Sequence, residues 1–161
     1  RDTGIISRRE GLQAKEKKMS YQILDVNQGK PIKMFNYGNM RRDFTYVDDV
    51  TEAIVRLIDH PPAAQTLAPN SAPDPGTSAA PWRVFNVGNN HPEELTKVVE
   101  VLEKEFGRKA EKELLPIQPG DVPATYADVD ALQEWVGFAP ATDIRTGVAR
   151  FVAWYREYYK V

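Results

Sequence analysis

Apolar residues recur at helical spacing in four stretches of the chain. Val50, Ala53, Ile54, Leu57 and Ile58 fall at i, i+3, i+4, i+7 and i+8, and Asp49 with Glu52 reads as a capping box ahead of them. Leu95, Val98, Val99, Leu102 and Phe106 form a second apolar face, with Pro92 where a first-turn proline belongs and Gly107 as the stop. A shorter helix, capped by Asp128 and ended by Gly137, is predicted to bury Leu132, Trp135 and Val136. Thr142 then caps a C-terminal helix whose Ile144, Val148, Phe151, Val152 and Tyr155 face inward. Between these lie β-branched or aromatic runs at 32–35, 44–47, 84–87 and 113–117, which read as strands. The alternation predicts an α/β protein with parallel pairing. The run from Trp82 to Gly88 is nearly as apolar as a strand buried on both faces, which needs a neighbour on each side. Few candidates for those neighbours exist in this sequence.

Two stretches break the pattern. Residues 1–21 are rich in charge, with Arg1, Arg8, Arg9, Lys15, Lys17 and Lys18 set among few large apolar residues, and read as a flexible arm. From His60 to Pro81, six of the twelve prolines fall among small and polar residues, with Leu67 the one large aliphatic side chain. This stretch is either a linker or a long loop inserted in one domain spanning 22–161.

Composition narrows the chemistry. With 161 residues the chain is one domain's worth, able to bury about 70% of the surface its unfolded form exposes. It has no cysteine, which removes thiolate zinc sites, iron–sulfur clusters and thiol nucleophiles together. Its 21 Lys and Arg against 23 Asp and Glu argue against a nucleic-acid surface, which needs a basic stripe. No apolar run is long enough for a membrane span, so the expectation is a cytoplasmic protein with small-molecule or protein partners. His60 and His91 lack metal-ligand spacing, and no metal is expected. Asp48 and Asp49 can be imagined as an acid/base pair or as helix caps.

The ten glycines never take a Gly-x-Gly-x-x-Gly or Gly-x-x-Gly-x-x-Gly spacing, and none of the seven tyrosines has a lysine four residues on. Two segments remain. In Gly38 to Asp49, Arg42 can offer its planar fork bidentately to a diphosphate, or else belong to a surface ion pair. Gln118-Pro119-Gly120-Asp121 is a rigid polar turn whose Asp121 can accept hydrogen bonds from sugar hydroxyls.

Gly29 to Ile32, Met40 to Asp49, Phe85 to Asn89 and Gln118 to Asp128 together resemble, in order and spacing, the C-terminal half of extended short-chain dehydrogenases/reductases. Met40 to Tyr46, Leu115 to Asp128 and Trp154 to Tyr159 look like the UDP-glucuronate 4-epimerase branch, and the resemblance covers about residues 22–161. It implies the substrate-binding part of an extended Rossmann-type fold without the dinucleotide-binding half. It also implies an isomerase that uses NAD to invert C4 of a UDP-sugar. Arg42 matches the family arginine that grips the diphosphate, Asp121 the acidic residue near the ribose, and Phe35 the strand residue whose backbone meets the uracil. Gln118 stands where related galactose epimerases carry a second diphosphate arginine. The expectations that follow are a chain inactive by itself and apolar faces covered by self-association, as in a homodimer. The alternatives are a non-catalytic nucleotide-sugar-binding or assembly module, or part of a sister dehydratase or decarboxylase.

Overall fold

The computed structural model describes residues 25–64 and 76–161. The expected N-terminal arm lies outside these residues, as do positions 65–75 of the proline-rich stretch. The chain divides into two compact units.

The first unit holds residues up to Met40, Leu95–Asp121 and Val148–Val161. Strand β1 (Ile32–Met34) pairs in parallel with β4 (Lys112–Leu114), Ile32 opposite Lys112 and Met34 opposite Leu114. Alternation along β1 buries Ile32 and Met34 and exposes Lys33, and the two inward side chains meet Val26 and Val99 in the core. Val99 comes from helix α2 (Leu95–Phe106), which buries Val98, Val99, Val101 and Leu102 and ends at Gly107, whose φ of 68° suits a residue without Cβ. Glu103 is buried on the same helix. Its carboxylate meets Lys109 Nζ at 2.7 Å and Lys112 Nζ at 2.8 Å, and accepts the Ala110 N–H, so it clasps α2 to the start of β4. Burial pushes this carboxyl up, but the hydrogen bonds from Lys109, Lys112 and Ala110 outweigh it and hold the group at about 2. Helix α4 (Ile144–Tyr159) sets the Tyr155 ring edge-on to Phe106 at 6.0 Å, and burial raises the Tyr155 phenol above its ordinary value.

The second unit holds Arg41–Glu94 and Val122–Gly147. Strand β2 (Arg41–Arg42) pairs antiparallel with β3 (Glu93–Glu94). Helix α1 (Val47–Asp59) packs against α3 (Asp130–Val136), with Ala53 and Leu132 fully buried in the same unit. The Trp135 indole N–H donates to the His60 carbonyl at 2.8 Å, and Arg56 lies over the Phe138 ring. Gly137, with φ 64°, closes α3 as expected.

Several sequence expectations are corrected here. Helix α1 begins at Val47, so Asp49 lies inside it and cannot cap it. Its carboxylate instead accepts the Ala141 and Thr142 N–H groups and the Thr142 hydroxyl, while Glu52 pairs with Arg56. Thr142 is therefore engaged by Asp49, and Asp143 caps α4 by accepting the Arg145 and Thr146 N–H groups. The Thr146 hydroxyl also donates to Asp143 and is the chief cause holding that carboxyl low. Pro92 precedes β3, and α2 opens three residues later than a proline at its first position would place it. Residues 44–47 lead into α1 and are not a strand. Residues 84–87 have no ladder partner among the described residues, for want of the neighbouring strands such a run needs, and the extended chain there is pinned by a Thr77–Arg83 bridge. Among the described residues no helix is long and apolar enough to cross a membrane.

Candidate functional site

The parallel pairing of β1 and β4 makes both strands end at the same edge of the first unit. Phe35 follows β1 directly and opens a 3₁₀ turn (Phe35–Gly38) whose Asn36 and Tyr37 have φ of 50° and 54°. Left-handed backbone is unusual for a tyrosine and must be held by its surroundings. Here the Tyr37 N–H donates to Leu115 O at 2.9 Å, Leu115 N–H donates to Met34 O, and the Asn36 amide donates to Asn39 O at 2.7 Å. The turn after β1 is thus fastened to the chain leaving β4. Three residues beyond Leu115 comes the polar turn, closed by the Asp121 N–H donating to Gln118 O at 3.1 Å across Gly120, φ 80°. Gln118 is exposed and Asp121 half-buried. Phe35, Gln118 and Asp121 therefore belong to segments that leave one end of one parallel pair.

Arg42 belongs to the second unit, in β2. Its Nη1 donates to the Arg41 carbonyl at 2.8 Å and to the Pro123 carbonyl at 3.3 Å, and the Arg41 guanidinium donates to Pro92 O. Pro123 is placed by the backbone, since Arg41 N–H donates to Pro123 O and Thr125 N–H donates to Arg41 O. Segment 123–125 thus runs parallel to β2, with Ala124 opposite Arg41.

The residue the sequence pattern missed is Asp43. Its Oδ1 accepts the Asn89 N–H at 3.1 Å, and its Oδ2 accepts those of Asn90 (3.1 Å) and Ala127 (3.0 Å). Gly88 makes this possible: a Cβ there would stand 2.8 Å from Asp43 Oδ2 and 2.5 Å from the Ala127 Cβ. Asn86 and Asn89 fasten the same loop further, donating to Asp128 O and Thr142 O. The signal available was the Asn86-Val87-Gly88-Asn89 run, whose small and amide residues suit a carboxylate-bound loop.

Among the described residues no glycine-rich turn links a strand to a helix: β1 is followed by the 3₁₀ turn and β4 by the polar turn. The described residues do not fit a dinucleotide pyrophosphate. No three His, Asp or Glu side chains among them gather as metal ligands.

Residues 3–88 match the sequence model of the NAD dependent epimerase/dehydratase family, a match that reaches into the first 21 residues, which the resemblance had left out. Protein CapI of Staphylococcus aureus is 50% identical over 80% of this chain, and a probable UDP-glucuronate 4-epimerase of Rhizobium meliloti is 46% identical over 84%. The chain spans 39% and 40% of the length of these two curated relatives. A solved structure of MoeE5 in complex with UDP-glucuronic acid and NAD superimposes with a TM-score of 0.67 at 27% identity, covering 87% of this chain and 41% of MoeE5.

Proposed function

This chain belongs to the NAD dependent epimerase/dehydratase family, and from that premise we propose that it forms the nucleotide-sugar-holding part of an NAD-dependent UDP-sugar 4-epimerase, an isomerase acting on UDP-glucuronate. The observation that carries this reading is the shared carboxyl edge of β1 and β4, because ligands of parallel α/β sheets bind beyond the carboxyl ends of the strands. In this proposal the Phe35 backbone meets the uracil, Asp121 accepts from the ribose hydroxyls, and Gln118 lies along the diphosphate. Arg42 supplies the charge-assisted fork for the phosphates. The names of the Rhizobium relative and the MoeE5 complex support UDP-glucuronate as the sugar nucleotide. Since the sequence holds neither a dinucleotide turn nor a Tyr-x-x-x-Lys pair, the chain by itself is proposed to bind this ligand without turning it over.

Titration calorimetry tests the reading. UDP and UDP-glucuronate should bind with no NAD present, and Arg42→Ala should weaken UDP by about 1.5–3 kcal/mol, the range for a hydrogen bond to a charged group. Absent binding, or an affinity that Arg42→Ala leaves unchanged, overturns it. The proposal extends to assembly as a homodimer, in which a second copy covers apolar side chains that α1 leaves exposed. Light scattering should then report a dimer, and a folded monomer at low micromolar concentration counts against it.

A further inference from the structure

We infer that Asp43 is a positioning residue for Arg42, an inference that rests on the proposed diphosphate role of that arginine. The backbone ladder between β2 and segment 123–127 is laid by two bonds, Arg41 N–H to Pro123 O and Thr125 N–H to Arg41 O. In a parallel ladder the next donor two residues on, Ala127 N–H, would reach a backbone carbonyl of the facing strand. Here it reaches the Asp43 carboxylate instead, at 3.0 Å. The side chain stands in for a strand carbonyl and extends the ladder beyond the two residues of β2.

The consequence falls on Arg42, because the segment so fixed carries the Pro123 carbonyl on which its guanidinium rests. The same carboxylate takes the Asn89 and Asn90 N–H groups, so the loop after Gly88 is locked to the same point. All three donors demand an acceptor, and only an ionised carboxylate offers both of its oxygens to such a set. An asparagine would turn one oxygen into an amide nitrogen facing an N–H. Gly88 is part of the device, since a methyl group there would intrude on both Asp43 and Ala127.

The test is a double-mutant cycle on UDP affinity in the full chain, with circular dichroism as the check on folding. Asp43→Asn should weaken UDP about tenfold in the parent and less than about twofold in the Arg42→Ala background, since residues acting through one another are not additive. Equal losses in both backgrounds would show a merely structural role and overturn the inference. NMR relaxation of the Arg42 side-chain Nε separates this claim from the functional one. If UDP does not bind at all, the diphosphate reading fails, yet a guanidinium that becomes mobile in Asp43→Asn still supports positioning and an unchanged one refutes it. Should Asp43→Asn fail to fold, amide exchange in the parent protein decides. The Asn89, Asn90 and Ala127 amides, which lie outside any helix or strand, should be protected together, and rapid exchange at all three overturns the inference.

Discussion

Helices α1 and α2 both carry apolar residues at i, i+3, i+4 and i+7 and share almost nothing in their surroundings. Four aliphatic side chains and a glutamate of α2 are buried, whereas α1 buries only Ala53, leaves Val50 and Leu57 half-covered, and exposes Val47, Ile54, Val55 and Ile58, the last at 70%. At 100° per residue, Ala53, Val50 and Leu57 form one side of an apolar arc and Val47, Ile54, Val55 and Ile58 the other. The arc spans about 200°, twice the stripe a helix needs for one partner. Periodicity thus reports that a segment is helical and how wide its apolar face is, but not how much of that face is covered.

The largest effect expected from this contrast is at Leu102 in α2. Leu102→Ala should cost about 2–5 kcal/mol in chemical denaturation, the range for a leucine deleted from a packed core. A loss near zero would mean that α2 is no better packed than α1. Next comes Glu103, whose replacement by Gln should cost about 1–3 kcal/mol through its lost charged hydrogen bonds. Because its folded value, about 2, lies below the ordinary 4.5, Glu103 contributes stability that is present above pH 4.5 and fades as pH falls towards 2. The acid limb of the stability profile should flatten in Glu103→Gln, and an unaltered limb would show that the clasp to Lys109 and Lys112 contributes little. The smallest effect belongs to α1, where Ile58→Ala should alter stability by less than about 0.5 kcal/mol. A cost several times larger would show that Ile58 is covered in solution, and its dependence on protein concentration would show whether a second copy covers it.

The sequence made the helices legible because their signals are local. Gly107 and Gly137 end helices where the pattern placed them, and Leu132 and Val99 lie in cores as their spacing implied. The caps were misread because carboxylates were credited to their chain neighbours: Asp49 serves residues 92 and 93 positions away, and Asp43 serves one 84 away. Strand 84–87 was misread for a related reason, since a strand exists only through its partner, and composition cannot supply one. Of the candidate site, the Gln118–Asp121 turn could be read from Pro119 and Gly120 alone, and the parallel register made it share an edge with Phe35. The role of Asp43 left a trace only in its partners, the Asn86 to Asn89 run, because nothing in an Arg-Asp pair announces three distant amides.

Those long-range carboxylate bonds bear on how the second unit comes to exist in time. Its ladder joins Arg41 to Pro123, 82 positions on, and Asp49 reaches 92 and 93 positions along the chain, so long loops must close before these bonds can form. Chains dominated by such distant pairings cross a high entropic barrier and fold late. The β1–β4 pairing of the first unit spans 80 residues as well, so both units should complete late in refolding, with Asp49 as a latch that engages after the helices are already wound.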